Sequence, residues 1–400
     1  MKELTELELA DLWKEVKEDF WGDISLQTQK MVKKLMETTL EEEMRAYIGI
    51  SRYGRSEDRK GYRNGFYPRG LLTSFGYISE IKVPRCREKG FKTSLFKQYQ
   101  RRQSEVDKQI KEAFLLGVST RSVSKVIEPL LDDRVSAQTV SNICKSLSKE
   151  VEKFHCHLFE DDYIYLVLDG IVVKIKTGLG VKKKIFLCAY GIKPDGHKEF
   201  LDFRLARSES ETQWEGFLNT LFHRGLEGKN LKLIAVDGCL GLLKALETVY
   251  PFVPIQRCWV HKLRNVAARL PRKIQAECLK GAKKIYSAKN KREAMKKFRE
   301  WKRCWKNKAA KAVACLEKDL EELLTFLSSR QAGMDCPPNH WSKIRTTNGI
   351  ERIFREVRKR LRPIGVFSNQ ASCERIAYSV VYRLNKYWED NPIKEFTQKN

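Results

Sequence analysis

Several features that would define a protein class at once are missing from this sequence. Its 11 cysteines form no Cys-x-x-Cys pair, which counts against a zinc finger. No apolar run reaches the roughly 18 residues that a membrane span needs. The first eight residues are charged and lack the apolar core of a signal peptide. We therefore expect a protein of the reducing cytoplasm, with no membrane partner and with most thiols buried as small hydrophobes.

The sequence also has far fewer acidic than basic residues. The 77 Lys and Arg residues exceed the 51 Asp and Glu residues and give a formal net charge of +26. An excess of this size predicts attraction to phosphate backbones, because binding releases counterions from the nucleic acid. The basic residues run through the whole chain, which predicts a long footprint on a polyanion. A merely soluble basic protein is the alternative.

The 400 residues allow two to four domains, and the hydrophobic pattern changes several times along the chain. Apolar strand-like runs at residues 163–168, 171–175, 184–192, 199–206 and 231–236 alternate later with helical runs, which predicts a mixed α/β sheet. The predicted segments are residues 1–50 (helical), 51–103 (basic loop and strand), 104–151 (helix-turn-helix-like), 162–261 (first part of the α/β core), 262–340 (helical) and 341–400 (C-terminal helices of the core).

The segment 51–103 interleaves basic, glycine and aromatic residues. Residues 51–70 have the composition of a loop, and residues 76–84 alternate like an exposed strand. Arginines with aromatic residues between them suit contact with a nucleic-acid backbone together with base stacking. A solvated basic loop explains the same composition.

A helix-turn-helix pattern follows in residues 104–151. Ser136 is placed to cap a helix whose first turns are polar, and a recognition helix presents such residues to the major groove. An ordinary three-helix packing unit remains the alternative. The polar residues of these turns are Gln138, Thr139, Ser141 and Asn142.

Three acidic residues stand where a nucleic-acid-cutting metal site needs them. Asp169 and Asp237 each follow an apolar run, precede a glycine and are expected at the end of a strand, whereas Glu351 is expected at the start of a helix. Two divalent ions commonly drive phosphodiester chemistry, and Mg²⁺ prefers a few carboxylates with water and phosphate oxygens. A plain turn is the alternative for each Asp-Gly pair.

The third carboxylate has competing explanations. Asn348 can cap the helix that begins at Gly349, which makes Glu351 the partner in a capping box. Both roles are compatible, because capping would fix the carboxylate. Glu356 and Glu374 compete for the ligand role, and the arginines around Glu356 favour an ion pair there.

Cys258 and His261 form a Cys-x-x-His pair after a strand-like run. The two side chains can ligate zinc, but no histidine pair follows at finger spacing. We favour His261 as a residue near the scissile phosphate or the acidic cluster.

These motifs occur in an order that resembles the mutator-type insertion-sequence transposases of bacteria, and the resemblance covers nearly the whole chain. One motif departs slightly, because many relatives carry a small polar residue at the position of Arg352. The motifs are Arg63-Asn64-Gly65-Phe66-Tyr67, Ile81-Lys82-Val83-Pro84-Arg85, Gly117-Val118-Ser119-Thr120-Arg121, Ser136-Ala137-Gln138-Thr139-Val140-Ser141, Leu168-Asp169-Gly170, Val236-Asp237-Gly238, Cys258-Trp259-Val260-His261 and Thr347-Asn348-Gly349-Ile350-Glu351-Arg352.

The resemblance implies an RNase H-like core interrupted by an all-α insertion, with an N-terminal helical DNA-binding region. It implies catalytic and Mg²⁺- or Mn²⁺-binding roles for Asp169, Asp237 and Glu351, and a catalytic role for His261. By similarity, the protein would bind terminal inverted repeats, cleave the element ends and transfer strands to target DNA. The residues that would contact DNA are Arg63, Asn64, Arg121, Gln138, Thr139, Ser141, Asn142, Arg352 and Arg355.

The resemblance also implies a homodimer or larger assembly on DNA, associated with the bacterial nucleoid. Two other functions stay open from the residues alone. A non-catalytic, repressor-like DNA-binding protein would use residues 104–151 to bind DNA, and an RNase H-like nuclease would share the metal chemistry without strand transfer.

Overall fold

Contacts divide the chain into two units, residues 1–146 and residues 147–400. The computed structural model describes residues 20–54, 59–88, 90–116, 118–131, 135–327, 336–346 and 366–397. Within these ranges, no helix combines the length and the apolar character needed to cross a bilayer.

The first unit packs helix α1 (Phe20–Ile48) on a hairpin of strands β1 (Arg63–Thr73) and β2 (Gly76–Cys86). Residues 63–70 are therefore strand, and their predicted assignment to a loop is wrong. The apolar alternation of β2 provides the buried face, and β1 joins it by backbone pairing. Pro68 fits because each strand of a two-stranded sheet is an edge strand. The core residues are Leu40, Leu71, Ile78, Ile81, Val83 and Phe96.

Three helices complete the first unit: α2 (Ser104–Leu115), α3 (Thr120–Leu131) and α4 (Ala137–Cys144). Each buries one apolar stripe, as the spacing of its hydrophobic residues requires. Ser136 caps α4, because its hydroxyl accepts a hydrogen bond from the Thr139 N–H at 3.1 Å. The buried residues include Val106, Ile110, Phe114, Val123, Ile127, Val140 and Cys144.

The second unit begins with α5 (Leu147–His155) and contains a five-stranded mixed sheet, so the predicted mixed α/β class is confirmed. The strands are β3 (Tyr165–Thr177), β4 (Gly180–Ile192), β5 (Lys198–Ala206), β6 (Leu233–Val236) and β7 (Ile255–Arg257). Their order in the sheet is β5-β4-β3-β6-β7. Strand β4 is antiparallel to both β3 and β5, whereas β6 is parallel to both β3 and β7.

Strand β3 merges two runs that the sequence pattern separates. Asp169 pairs opposite Cys188 and Gly170 opposite Leu187, so the chain continues through the Asp-Gly step without turning. Because β4 pairs with β3 over its whole length, both residues lie inside the strand. The expectation that Asp169 ends its strand is wrong.

Helices cover both faces of the sheet. Trp214, Phe217 and Leu246 belong to the apolar cluster on one face, and Trp259, Trp301 and Val380 belong to the cluster on the other. Among the described residues of this unit, the helices after α5 are α6 (Glu211–His223), α7 (Leu240–Val249), α8 (Trp259–Ala267), α9 (Arg272–Tyr286), α10 (Lys291–Trp305), α11 (Ala310–Lys318), α12 (Leu320–Leu323), α13 (Trp341–Ile344), α14 (Gln370–Glu389) and α15 (Lys394–Thr397), with 3₁₀ turns at Thr325–Leu327 and Pro338–His340.

Buried polar contacts attach helix α12 to strand β7 and helix α8. The Trp259 indole N–H donates to the Leu323 carbonyl at 2.7 Å. Asp319 is buried between the Arg257 guanidinium, at 2.6 Å, and the Lys262 ammonium group. Because a buried charge is stable only when paired, these contacts fix the start of α12 against the end of β7.

The C-terminal part of the chain returns to the same sheet. The Phe367 N–H donates to the Lys174 carbonyl at 3.0 Å, and the Lys176 N–H donates to the Phe367 carbonyl at 2.8 Å. In α14, the Asn385 side chain bonds the N–H of Phe200 at 2.8 Å and its C=O at 3.2 Å. Phe367 thus pairs with the second half of β3, and α14 covers part of β5.

Candidate active site

Asp169 lies in the middle of β3, where the partner strand on one side ends. Strand β6 pairs with β3 only as far as Leu168, whereas β4 continues beyond it. The residue is 6% exposed, and its carboxylate accepts a hydrogen bond from the Gly170 N–H at 2.8 Å. A charged group is therefore held almost without water at the point where the sheet opens.

Asp237 follows the last residue of β6 and is the neighbour of Asp169 in the sheet. Leu168 and Val236 are register partners in parallel strands, so the next residue on each strand is an aspartate. Neighbouring strands lie about 4.8 Å apart. The Asp237 carboxylate accepts the Cys239 N–H at 3.0 Å, and Gly238 turns the chain with a φ of +94°.

The two carboxylates repel each other. Burial, and after it the charge of Asp237, raise the pKa of Asp169 to about 7, while the Gly170 N–H and His261 oppose the rise. A buried aspartate pair of this kind is stabilised by a proton or by a cation. The arrangement therefore suits a group with positive charge between the ends of two strands.

His261 lies in the first turn of α8 and supplies part of that charge. A hydrogen bond with the Cys258 side chain raises the pKa of His261 to about 9, burial opposes the rise, and the charges of Asp169 and Asp237 support it. Because this pKa lies above neutral pH, the imidazole is protonated there. Cys258 is buried at the N-cap of α8, so the Cys-x-x-His pair connects the helix to the acidic pair.

Glu209 is a further acid at this position, and the sequence reading missed it. It lies in the loop between β5 and α6 and is half-buried; burial raises its pKa, and so does the charge of Asp237. A Cβ atom at Gly170 would overlap the Glu209 carboxylate oxygen. The local sequence Ser208-Glu209-Ser210 is typical of a helix start. No sequence signal identifies Glu209, because only the sheet brings it to Asp169.

The donor chemistry fits a hard divalent cation, because carboxylate oxygens are the ligands that Mg²⁺ and Mn²⁺ prefer. Two described carboxylates on adjacent strands fit a partial ligand set. In the described part of the chain, no three His, Cys, Asp or Glu side chains are clustered closely enough to hold a metal ion by themselves. The described residues therefore add no support to a zinc site at Cys258 and His261.

Three predicted residues, Glu351, Arg352 and Arg355, lie outside the described residues, as does the competing Glu356. Glu374, the other competitor, lies in α14, where the Gln370 side-chain amide donates to its carboxylate at 2.8 Å. That contact gives Glu374 a local partner.

The predicted DNA contacts of the hairpin differ in their surroundings. The Arg63 side chain is 14% exposed and pairs with the Glu41 carboxylate at 2.9 Å. It therefore attaches β1 to helix α1 through an ion pair within the unit. Asn64, the next residue, is exposed.

The predicted recognition residues lie on helix α4 and nearby on α3. Gln138 and Asn142 are exposed and joined by a side-chain hydrogen bond of 3.2 Å. Thr139 and Ser141 are partly exposed, and Arg121 is exposed at the start of α3. Because Val140 and Cys144 anchor the opposite face of α4, its polar side chains are presented outward.

Comparison with known proteins identifies the class to which this sheet and its acidic pair belong. Residues 8–391 match the family described as "Transposase, Mutator family". The chain therefore belongs to the Mutator family of transposases, and the resemblance inferred from its motifs is confirmed.

The relatives of this chain include three insertion-sequence transposases. It is 32% identical to that of ISRM5 from Rhizobium meliloti (strain 1021), over 90% of this chain and 88% of the relative. It is 33% identical to that of IS256 in transposon Tn4001 from Staphylococcus aureus, over 87% of each. It is 31% identical to that of IS905 from Lactococcus lactis subsp. lactis (strain IL1403), over 85% of this chain and 84% of the relative.

Proposed function

We propose that this chain cleaves DNA at the ends of an insertion sequence and joins those ends to target DNA. The observation that carries this proposal is the aspartate pair, Asp169 and Asp237, placed side by side on adjacent strands of a strongly basic protein. The positive charge attracts a polyanion that the carboxylates alone would repel. Membership of the Mutator family supports the same activity.

In this proposal, Asp169 and Asp237 hold divalent cations together with Glu351, as in an RNase H-like core with an all-α insertion. Mg²⁺ or Mn²⁺ would supply charge stabilisation at the attacked phosphate and activate the attacking oxygen. The two aspartates contribute position, because the sheet fixes their Cα atoms on neighbouring strands. Glu351 is assigned by its motif.

His261 acts as a positive group in this site. A pKa of about 9 keeps the imidazole protonated at neutral pH, so it is poorly suited to accept a proton from water. We assign it to a phosphate oxygen of the bound DNA, with Cys258 orienting the ring. His261→Gln would then weaken cleavage more strongly than it weakens binding of the DNA end.

The reaction needs no redox partner. In cleavage, water forms a new P–O bond as the old P–O bond to the 3′-oxygen breaks, and that oxygen takes a proton and leaves as a 3′-hydroxyl. In joining, this hydroxyl gives up its proton and forms a P–O bond with target DNA, while one target P–O bond breaks and the leaving target oxygen takes a proton. Each step exchanges one bond for another.

Recognition of the element ends is assigned to the first unit. Helix α4 presents Gln138, Thr139, Ser141 and Asn142, whose amide and hydroxyl groups can read base edges. Asn64 and Arg121 are exposed near these elements and suit backbone contact, as do Arg352 and Arg355 by sequence. Arg63 is assigned a positioning role, because its guanidinium forms an ion pair with Glu41 within the unit.

Two DNA ends must be held together for joining, so we propose a homodimer or a larger assembly on DNA. Light scattering of the protein with and without a DNA end would measure this. A complex with one protein copy per pair of ends would contradict the assembly.

The activity is tested with labelled DNA that carries the flanking inverted repeats, in the presence of Mg²⁺. Wild type should give cleaved and joined products, and Asp169→Asn and Asp237→Ala should abolish both while end binding persists. Asp195→Asn is a matched control, because this exposed acid lies in the turn before β5 and pairs with His197.

Three outcomes separate the candidate functions. Joined products from wild type and Asp195→Asn alone support the transposase. Cleavage without joining supports the RNase H-like nuclease. Binding without cleavage in every variant supports the repressor-like protein, and equal activity of Asp237→Ala and wild type moves the chemistry away from this site.

A further inference from the structure

Glu209 is held between the two strands that carry the proposed catalytic aspartates. Its carboxylate lies over Gly170, the residue after Asp169, at the place a Cβ atom would occupy. Its backbone carbonyl accepts a hydrogen bond at 3.5 Å from the thiol of Cys239, which lies two residues after Asp237. A Cβ atom at Gly241 would overlap the same carbonyl. The loop is therefore fixed on both sides of the acidic pair.

This close approach has no local structural reason. Gly170 lies in an extended strand, paired opposite Leu187 in β4, where any residue could adopt the backbone conformation. Its missing side chain leaves the space that the Glu209 carboxylate fills. A half-buried acid beside a buried aspartate destabilises the fold by repulsion, so packing alone does not explain its presence.

We propose that Glu209 is a further carboxylate of the site beside Asp169 and Asp237 and strengthens binding of the divalent cation. This inference rests on the proposed function. Mg²⁺ keeps several of its waters when it is bound to a protein. We therefore assign the Glu209 carboxylate to accept hydrogen bonds from those waters, while Asp169 and Asp237 are the direct ligands.

The role is a positioning role, and metal affinity measures it without any need for turnover. Loss of an outer partner typically weakens metal binding by about 10- to 100-fold. We expect Glu209→Gln to weaken Mn²⁺ binding about tenfold, measured by electron paramagnetic resonance on the full chain. Glutamine keeps the size of the side chain, so the fold should persist, which circular dichroism can check.

Glu211→Gln is the matched control. Glu211 lies two residues further along, is exposed and pairs with Lys244 at 3.4 Å on the surface of α6. We expect it to bind Mn²⁺ like the wild type. A drop in affinity equal to that of Glu209→Gln would overturn the proposal, because general loss of negative charge would then explain both.

A second measurement separates binding from chemistry. With DNA cleavage as the readout, Glu209→Gln should need more Mg²⁺ for half-maximal activity and recover most of its rate at saturating Mg²⁺. A purely structural glutamate would lower the rate at every Mg²⁺ concentration, and this outcome would count against the assignment.

Mn²⁺ binding by the aspartate variants separates an error in the role of Glu209 from an error in the proposed metal site. If Asp169→Asn and Asp237→Asn abolish Mn²⁺ binding and Glu209→Gln leaves it unchanged, only the role of Glu209 is wrong. If neither aspartate substitution changes Mn²⁺ binding, the metal site itself is wrong, and the inference falls with it.

Discussion

The two Asp-Gly steps of this protein share a sequence and differ in their structure. Asp169-Gly170 runs straight through the middle of β3, whereas Asp237-Gly238 turns the chain after β6, with a φ of +94° at the glycine. At Gly170 the space of a side chain is occupied by Glu209, and at Gly238 by the Arg257 guanidinium. Gly170 is required because a side chain there would overlap Glu209. Gly238 is required because a side chain would overlap Arg257 and also because its φ is positive.

The surroundings of the two aspartates differ in the same way. Asp169 is 6% exposed, and Asp237 is half-buried at the end of a four-residue strand. The same dipeptide thus adopts a buried strand in one place and an open turn in the other, because the neighbouring elements differ. Substitutions at the four positions should therefore give different and ordered effects.

The largest effect is expected for Gly238→Ala. The left-handed conformation costs an L-residue about 1 to 2 kcal/mol, and the added methyl displaces Arg257, which is paired with buried Asp319 at 2.6 Å. We expect a loss of about 3 kcal/mol in the free energy of unfolding, measured by urea denaturation.

The control for this substitution is Gly180→Ala. Gly180 has a φ of +98° and no neighbouring atom within 4 Å of an added Cβ. It should lose only the backbone part, about 1 kcal/mol. Equal losses at the two glycines would show that Arg257 contributes nothing to the difference.

An intermediate effect is expected for Gly170→Ala, with a loss of about 2 kcal/mol from overlap with Glu209. Ile185 also approaches, at 3.2 Å from the added Cβ. Shortening the neighbour in Glu209→Ala should make the alanine at 170 easier to accept. In a double-mutant cycle of unfolding free energies, we expect a coupling of about 1 kcal/mol, and additive effects would contradict the contact.

Asp169→Asn should stabilise the protein at high pH. Folding raises the pKa of Asp169 to about 7, above the unfolded value of about 3.9. The unfolded chain thus releases this proton first, and wild-type stability falls as the pH rises from about 4 to about 7. Asparagine does not titrate, so the variant escapes this loss.

We expect Asp169→Asn to exceed wild type by about 1 to 2 kcal/mol at pH 8 and by less at pH 5. The gain stays below the full pKa effect, because asparagine replaces one carboxylate oxygen with a buried amide NH₂ that needs its own hydrogen-bond partner. Urea denaturation at both pH values measures the difference. A variant that is less stable than wild type at pH 8 would contradict the buried, repelled carboxylate.

The smallest effect is expected for Asp237→Asn. Asparagine keeps an oxygen that can accept the Cys239 N–H, which is now bound at 3.0 Å, and the site is half-buried. We expect a change within about 0.5 kcal/mol in the free energy of unfolding. A gain as large as that of Asp169→Asn would remove the contrast between the two steps.

Local patterns were sufficient to predict some of these features. Apolar runs indicated the strands that lead to Asp169 and Asp237, and the cap at Ser136 indicated the start of α4. These predictions succeeded because burial and capping act over a few residues. The mixed α/β class followed from the order of such runs.

Other features depend on residues far apart in the chain, which a local pattern does not report. The Asp-Gly step at 169 looks like a turn, and only pairing with β4 keeps it straight. The composition of residues 63–70 suggests a loop, and only β2 makes it a strand. Glu209 shows no signal in its own segment, because its importance comes from two strands on either side of it.

The pairing of Phe367 with β3 has a consequence for synthesis of the chain. Lys174 and Lys176 leave the ribosome long before Phe367, and at roughly 5 to 20 residues per second the delay is on the order of 10 to 40 s. During this time the second half of β3 has β4 on one side and an open edge on the other. Open edges are templates for aggregation, so this part of β3 gains the Phe367 contact only after the long stretch between them has been synthesised.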